Sequence, residues 1–206
     1  MRHVAVSVPP LEVSAAPELT ALFASAGYAL TAYRADGAGG RALEAAVRTG
    51  QYAGVLDLAL HELAAELLGG VHAAGPDRLT AAAVAGIPQV VAPGGCDFVA
   101  FAAGAVPEQF VGRPATNTPG LTHVRTTPEE CDRLGLDIAQ KACAARGPTA
   151  VLLPSGGPVW PEADAALAQS IRNWVAGVEV VEHGWDTGSS AFCLAAGLKL
   201  LELLGR

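Results

Sequence analysis

Short apolar runs alternate along this chain with longer amphipathic stretches, and the two periods separate strands from helices. His3–Val8, Tyr28–Tyr33, Gly54–Leu58, Pro88–Ala92, Ala150–Leu153 and Val178–Glu182 read as strands. Pro17–Ala26, Arg41–Arg48, His61–Leu68, Asp77–Ala85, Glu162–Val175 and Ala191–Leu204 read as helices. A further helix opens at Thr127-Pro128-Glu129-Glu130, where Thr127 suits the N-cap, Pro128 the first turn and Glu130 a capping box. It runs to about Ala145 and stops at Gly147-Pro148. Between Ala92 and Thr127 the pattern is broken by Pro107, Pro114 and Pro119, and only Thr122–Val124 reads as a strand. Strands alternating with helices require parallel pairing with right-handed crossovers. The expected fold is α/β: a doubly wound, Rossmann-like, mostly parallel sheet of about five to six strands with helices on both faces. Residues 1–206 form one domain in this reading, with no internal repeat and no low-complexity linker.

In such a sheet ligands bind outside the carboxyl ends of the strands, and five of those ends carry marked chemistry. Asp36-Gly37-Ala38-Gly39-Gly40 follows the second strand and precedes Arg41, and Asp57 ends the third. Pro93-Gly94-Gly95-Cys96-Asp97, Pro154-Ser155-Gly156-Gly157-Pro158 and His183-Gly184-Trp185-Asp186 follow the later strands. Paired glycines are costly in chain entropy unless the backbone needs them. A helix starting just after Gly40 would aim its free N–H groups and positive dipole end at an anion. The spacing matches neither the dinucleotide fingerprint nor the P-loop, and an ordinary βα turn also uses glycines.

Composition narrows the partners. The chain has 206 residues, a formal net charge of −7 and a hydrophobic fraction of 51%. No Lys/Arg-rich run is present, so nucleic acid is not an expected partner. No window approaches the roughly 18 apolar residues of a membrane span. Cys96, Cys131, Cys143 and Cys193 lie far apart without C-x-x-C pairing, so neither a metal site nor a disulfide framework is expected. The expected setting is cytoplasmic, with reduced thiols.

Among single residues, Asp57 and Asp97 at strand ends suit a ligand hydroxyl or general base work, the alternative being a helix cap. His61 follows Asp57 by one helical turn, so the two side chains are candidates for an Asp–His pair, against the alternative of a solvent-facing histidine. Cys96 sits in a glycine turn ahead of a helical stretch, where a lowered pKa would make it a nucleophile. Arg125 is a candidate anion clamp, with pairing to Glu129 or Glu130 as its alternative. The Asp77-Arg78 pair is expected to pin the following helix. Ser155 and Asp186 complete the candidate ligand shell with Gly37, Gly39, Gly40, Arg41, Gly94, Gly95, Gly156 and Gly157.

Several stretches, taken in order, resemble a known group: Tyr33–Glu44, Gly54–Gly70, Ala74–Leu79, Ala85–Val91 and Val124–Glu130. They are similar to the C-terminal lobe of the tomato mosaic virus resistance protein-like ATP-binding domain family. The match covers Gly37, Gly39, Gly40, Arg41, Asp57, Glu62, Gly69, Gly70, Gly75, Pro76, Asp77, Arg78, Asp97 and Arg125–Thr127. Arg34, Asn117-Thr118-Pro119, the short Ser155–Pro158 loop and Asp186 depart from the family's pattern. The resemblance implies a nucleotide as a possible cofactor and a separately encoded N-terminal lobe as a possible partner. Two function classes follow. The first is a hydrolase- or lyase-type enzyme acting by acid–base chemistry on a small anionic or carbonyl-bearing metabolite. The second is a non-catalytic nucleotide- or anion-binding module. Self-association is also expected, because Leu194, Leu198, Leu201 and Leu204 line one stripe of the last helix, with Phe192 and Leu200 elsewhere on it.

Overall fold

A computed structural model describes residues 1–10, 16–155 and 161–205. In chain order its elements are β1 (Arg2–Val8), α1 (Pro17–Ser25), β2 (Tyr28–Arg34), α2 (Ala38–Arg48), β3 (Tyr52–Asp57) and α3 (His61–Leu68). Next come α4 (Ala81–Ala85), β4 (Gln89–Val91), β5 (Phe98–Ala102), a 3-10 turn at Glu108–Phe110, β6 (Ala115–Thr118) and β7 (Leu121–Arg125). The chain closes with α5 (Pro128–Cys143), β8 (Thr149–Pro154), α6 (Pro161–Trp174), β9 (Glu179–His183) and α7 (Ser190–Leu204).

Six strands form one sheet in the order β2-β1-β3-β4-β8-β9, and every pairing is parallel. This is the expected doubly wound architecture. Successive side chains on a strand point to opposite faces, and the core divides accordingly. Val4, Val6, Val8, Leu56, Val90 and Leu152 meet Leu19 and Phe23 of α1 and Phe192, Ala196 and Leu200 of α7. On the other face Val91, Val151 and Leu153 meet α3, α5 and α6, while Ala5 and Val55 meet Leu43 and Val47 of α2. Within α7 the buried residues are Phe192, Ala196, Gly197, Leu200 and Leu203, and of the stripe expected at Leu194, Leu198, Leu201 and Leu204, Leu201 and Leu204 are partly buried against the same core. Of these Leu198 is exposed. No described helix is long and apolar enough to cross a membrane.

Two departures from the expected elements have physical causes. The expected helix Asp77–Ala85 shrinks to Ala81–Ala85, because Leu79 adopts a positive φ of 70° and its N–H, with those of Thr80 and Ala81, is taken by the Glu44 carboxylate. The proline-broken section is not irregular: β5, β7 and β6 form a separate antiparallel sheet. Its small core is Val99, Phe101, Phe110 and Val124. β6 is Ala-Thr-Asn-Thr and exposed throughout, so it carries no apolar alternation to announce it. The Thr127–Glu130 capping box forms as expected.

Helices α5 and α6 pack closely through Gly135, where a Cβ would stand 2.6 Å from Ser170 Cβ and 2.7 Å from the Leu167 carbonyl oxygen. One of those neighbours is backbone and cannot swing aside. Gly135→Ala should therefore destabilise the fold by about 1–3 kcal/mol despite its better helix propensity, measured by urea unfolding at constant m-value.

Candidate functional site

Parallel pairing sends the ends of β2, β1, β3, β4, β8 and β9 to one edge. At the β2–β3 side that edge is filled by the protein's own charges. Arg78 is fully buried and faces three carboxylates. Its guanidinium grips Asp57 through both terminal nitrogens, donates from Nε to Glu62 at 2.7 Å and reaches Glu44 at 3.2 Å. Burial opposes its charge, yet Asp57, Glu62 and Glu44 hold the guanidinium protonated more firmly than usual. Burial raises the Glu62 pKa against the pull of Arg78 and of the Gly37 N–H, which donates to it at 2.7 Å.

The Gly37–Gly40 turn is closed by Glu62 and by Asp36. Gly39 N–H donates to Asp36 at 2.9 Å, and Asp36 also pairs with Arg34 at 3.0 Å. Burial raises the Asp36 pKa, but these contacts outweigh it and leave the pKa lowered. A Cβ on Gly40 would run into the Glu62 carboxylate, and one on Gly39 into the Arg34 carbonyl. Arg41 is engaged beside the turn, donating to the Ala73 carbonyl at 2.8 Å. The site expected for an external anion thus holds Asp36 and Glu62. Asp57 and His61 do not pair: Asp57 is committed to Arg78, and His61 Nε2 lies 2.6 Å from the Ala35 carbonyl oxygen. A carbonyl only accepts, so Nε2 carries the proton and Nδ1 keeps its lone pair.

Beside this network three imidazoles and Phe98 form a run of ring contacts. His61 stacks on Phe98 at 5.7 Å and meets His72 edge-on at 5.6 Å, and His123 meets Phe98 at 5.0 Å. Burial, then His72, lowers the His61 pKa to about 4, and burial lowers those of His72 and His123. His72 Nδ1 is buried with no hydrogen-bond partner among the described residues. A Cβ on Gly95, whose φ is 73°, would sit 3.4 Å from His61 Nδ1, so this backbone closely abuts the cluster.

Across Gly95, toward β8 and β9, the edge opens into a cleft of about 380 Å³. Its lining includes Gly95, Cys96, Asp97, Ser155, Asp164, Arg172, Asp186 and Thr187. Asp97 is ion-paired with Arg125, which fixes its carboxylate at the start of β5. The Arg125 partner is therefore Asp97, while Glu130 accepts from Arg113. Arg172 Nε donates to Glu182 at 2.7 Å on an exposed rim. Asp186 accepts from Gly188 N–H at 2.8 Å, and Ser155 N–H donates to the His183 carbonyl at 2.7 Å. Cys96 is buried, and burial pushes its pKa well above the usual thiol value, the reverse of what a nucleophile needs. Gly94 approaches the Leu58 carbonyl too closely to bear a side chain. Gly156 and Gly157 lie outside the described residues.

The cleft brings together Gly95, Cys96, Asp97, Ser155 and Asp186 and leaves Gly37, Gly39, Gly40, Arg41, Asp57 and His61 outside it. Arg172 and Asp164 were not foreseen. Both lie on α6, where charges at helical spacing read as a solvated face.

The family described as "Uncharacterised protein family (UPF0261) C-terminal domain" matches residues 3–204. The chain belongs to this family. A UPF0261 protein of Clostridium tetani (strain Massachusetts / E88) is 38% identical over 192 residues, covering 86% of this chain and 48% of that protein. A UPF0261 protein of Rhizobium meliloti (strain 1021) is 37% identical over 155 residues, 69% of this chain and 39% of that one. The ToMV resistance protein Tm-1(GCR237) of Solanum lycopersicum is 35% identical over 133 residues, but that span is 64% of this chain and 18% of the tomato protein. This UPF0261 C-terminal domain therefore spans less than half the length of these relatives.

Removing the Arg78 charge should strand three buried carboxylates. Arg78→Met is expected to cost about 3–5 kcal/mol, read as a lowered urea midpoint. A second expectation concerns pH. His61 binds its proton less readily folded than unfolded, so its contribution is complete above about pH 6.5. It is lost progressively as pH falls toward about 4. His61→Gln should flatten the pH dependence of stability in that window, measured by denaturant titrations from pH 4 to 7.

Proposed function

We propose that the protein is an enzyme of the hydrolase or lyase type that performs acid–base chemistry on a small carbonyl-bearing or carboxylate-bearing metabolite. The observation that carries this reading is the cleft outside the ends of β4, β8 and β9, where Asp97, Ser155, Asp186 and Arg172 converge. Ligands of doubly wound sheets bind at this edge, and the volume lies at the small end of metabolite sites. Arg172 is the group for a substrate carboxylate, which a guanidinium grips in bidentate fashion. Asp97, held by Arg125, is the proton acceptor, and Asp186 and Ser155 bind the remaining polar atoms. The uncharged imidazole of His61 lies behind Gly95, its Nε2–H held by the Ala35 carbonyl, and brings no charge to the cleft.

The nucleotide-binding alternative has weaker support. Its phosphate seat would be the Gly37–Gly40 turn, whose Gly37 and Gly39 N–H groups already serve Glu62 and Asp36. The name of the tomato relative speaks of virus resistance, not of a ligand for this chain.

Native mass spectrometry of the purified protein should reveal a retained small acid or carbonyl compound. Asp97→Asn should lower turnover of that compound by about a hundredfold or more, in line with loss of a general base. Its KM should change much less. A retained nucleotide displaced by Gly40→Val, with Asp97→Asn silent, would replace the enzyme reading with the binding module.

A further inference from the structure

We propose that the imidazole run is an acid-sensitive latch, which seats the antiparallel sheet on the parallel body while its rings are uncharged and releases it as they take up protons. This goes beyond the function proposed for the cleft and does not depend on it.

The run crosses a junction. His61, in the first turn of α3, and His72, in the segment after that helix, belong to the parallel body. Phe98 opens β5 and His123 lies on β7, so both belong to the antiparallel sheet. The stack of His61 on Phe98, with planes inclined by 20°, therefore joins the two sheets. His123 meets the same Phe98 ring edge-on. Further along the junction Val71 N–H donates to the Ala100 carbonyl at 2.8 Å, and Leu68 packs against Val99, Phe101, Phe110 and Val124. Neither of those contacts involves an ionisable group, whereas the rings do.

A proton fits badly in this run. A charged imidazole donates from both nitrogens. His72 Nδ1 is buried with no partner among the described residues, so an N–H there is left without an acceptor. His61 already gives its Nε2 proton to the Ala35 carbonyl, and a second proton must go on Nδ1, which lies against the Gly95 backbone. A ring face holds one cation, whereas two imidazoles contact Phe98.

The surrounding charges give little relief. Arg78, His72 and His123 all oppose a positive charge on His61. Asp36 favours one on His72, but it is engaged by Arg34 and by the Gly39 N–H. Asp57 of β3 and Glu62 of α3 are committed to Arg78, and Glu66 of α3 accepts from the Gly75 N–H. Arg41 of α2 holds the carbonyl of Ala73, the residue after His72. On the antiparallel side Arg125 pairs with Asp97 and Arg113 with Glu130, while β6 carries no charge.

Burial lowers the pKa of His61, His72 and His123 while the sheet is seated. Lifting Phe98 away wets the rings and returns them toward the ordinary value of about 6.5. Unseating thus takes up protons, so acid drives it. The latch holds fully above about pH 6.5 and weakens progressively below it. Arg125 ends β7, so movement of this sheet is carried to the Asp97–Arg125 pair at the cleft.

The test is amide hydrogen exchange of the full chain, read by NMR from about pH 5 to about 7.5 and normalised to intrinsic rates. The Val71 N–H is the reporter because it donates across the junction, and the Ala92 N–H, bonded to the Asp57 carbonyl, reports the parallel body. Protection of Val71 should fall by about tenfold or more per pH unit below about pH 6.5, one proton or more per opening, while that of Ala92 holds. His72→Gln and His123→Gln together should reduce the fall to less than about threefold per unit. His3→Gln, at the exposed start of β1, should leave it unchanged. Circular dichroism establishes that the variants fold, and the wild-type profile decides alone if they do not. Val71 protection that stays constant with pH, or falls only in step with Ala92, overturns the latch. A folded double variant that keeps the wild-type slope overturns it equally.

Discussion

The fold depends on one buried guanidinium. Arg78 joins the end of β3 through Asp57, the middle of α2 through Glu44 and the first turn of α3 through Glu62. Stripping an arginine of water is expensive, and only close, multiple partners recover the cost. The carboxylates then do further work. Glu44 receives three successive backbone N–H groups at the entry to α4, and Glu62 receives that of Gly37. The positive φ of Leu79 is tolerated because its own N–H is one of those held. Half of the strand-end edge is thereby made rigid and self-sufficient.

That rigidity divides the edge by chemistry. On the β2–β3 side charges are buried, paired and turned inward. On the β8–β9 side Asp186, Ser155 and Arg172 remain exposed around the cleft. The imidazole cluster lies at the border, its rings kept uncharged by burial. Gly95 belongs to both territories, lining the cleft while its missing side chain leaves room for His61.

The sequence made the fold readable because its signals were local. β-branched runs, the Thr127–Glu130 box and the Gly-Pro stop depend on neighbours within a turn or two. The candidate site was only half readable. Gly37, Gly39 and Gly40 do mark a backbone that tolerates no side chain, but the closely approaching group is Glu62 or Arg34, which sequence spacing cannot distinguish from a ligand. Asp57 announced itself as chemistry, yet it serves with Glu62 as a partner of Arg78, more than a dozen residues away from either. Cys96 reads as a turn residue near a helix, yet its thiol faces the core with Cys131. The antiparallel sheet escaped notice because β6 has no apolar face to reveal it.

Strands β5 and β7 pair from Phe98↔Arg125 to Ala102↔Leu121, so the excursion that follows β4 returns at the start of α5 to almost the point where it began. Its two ends also carry the Asp97–Arg125 ion pair that forms one side of the cleft. The segment from 98 to 125 takes no part in any parallel pairing, yet it is tied to the region of α3, where Phe98 stacks on His61 and Val71 N–H donates to the Ala100 carbonyl at 2.8 Å. The parallel sheet and the antiparallel ribbon are thus fastened separately, the first from within by Arg78 and the second at its base by the Asp97–Arg125 pair.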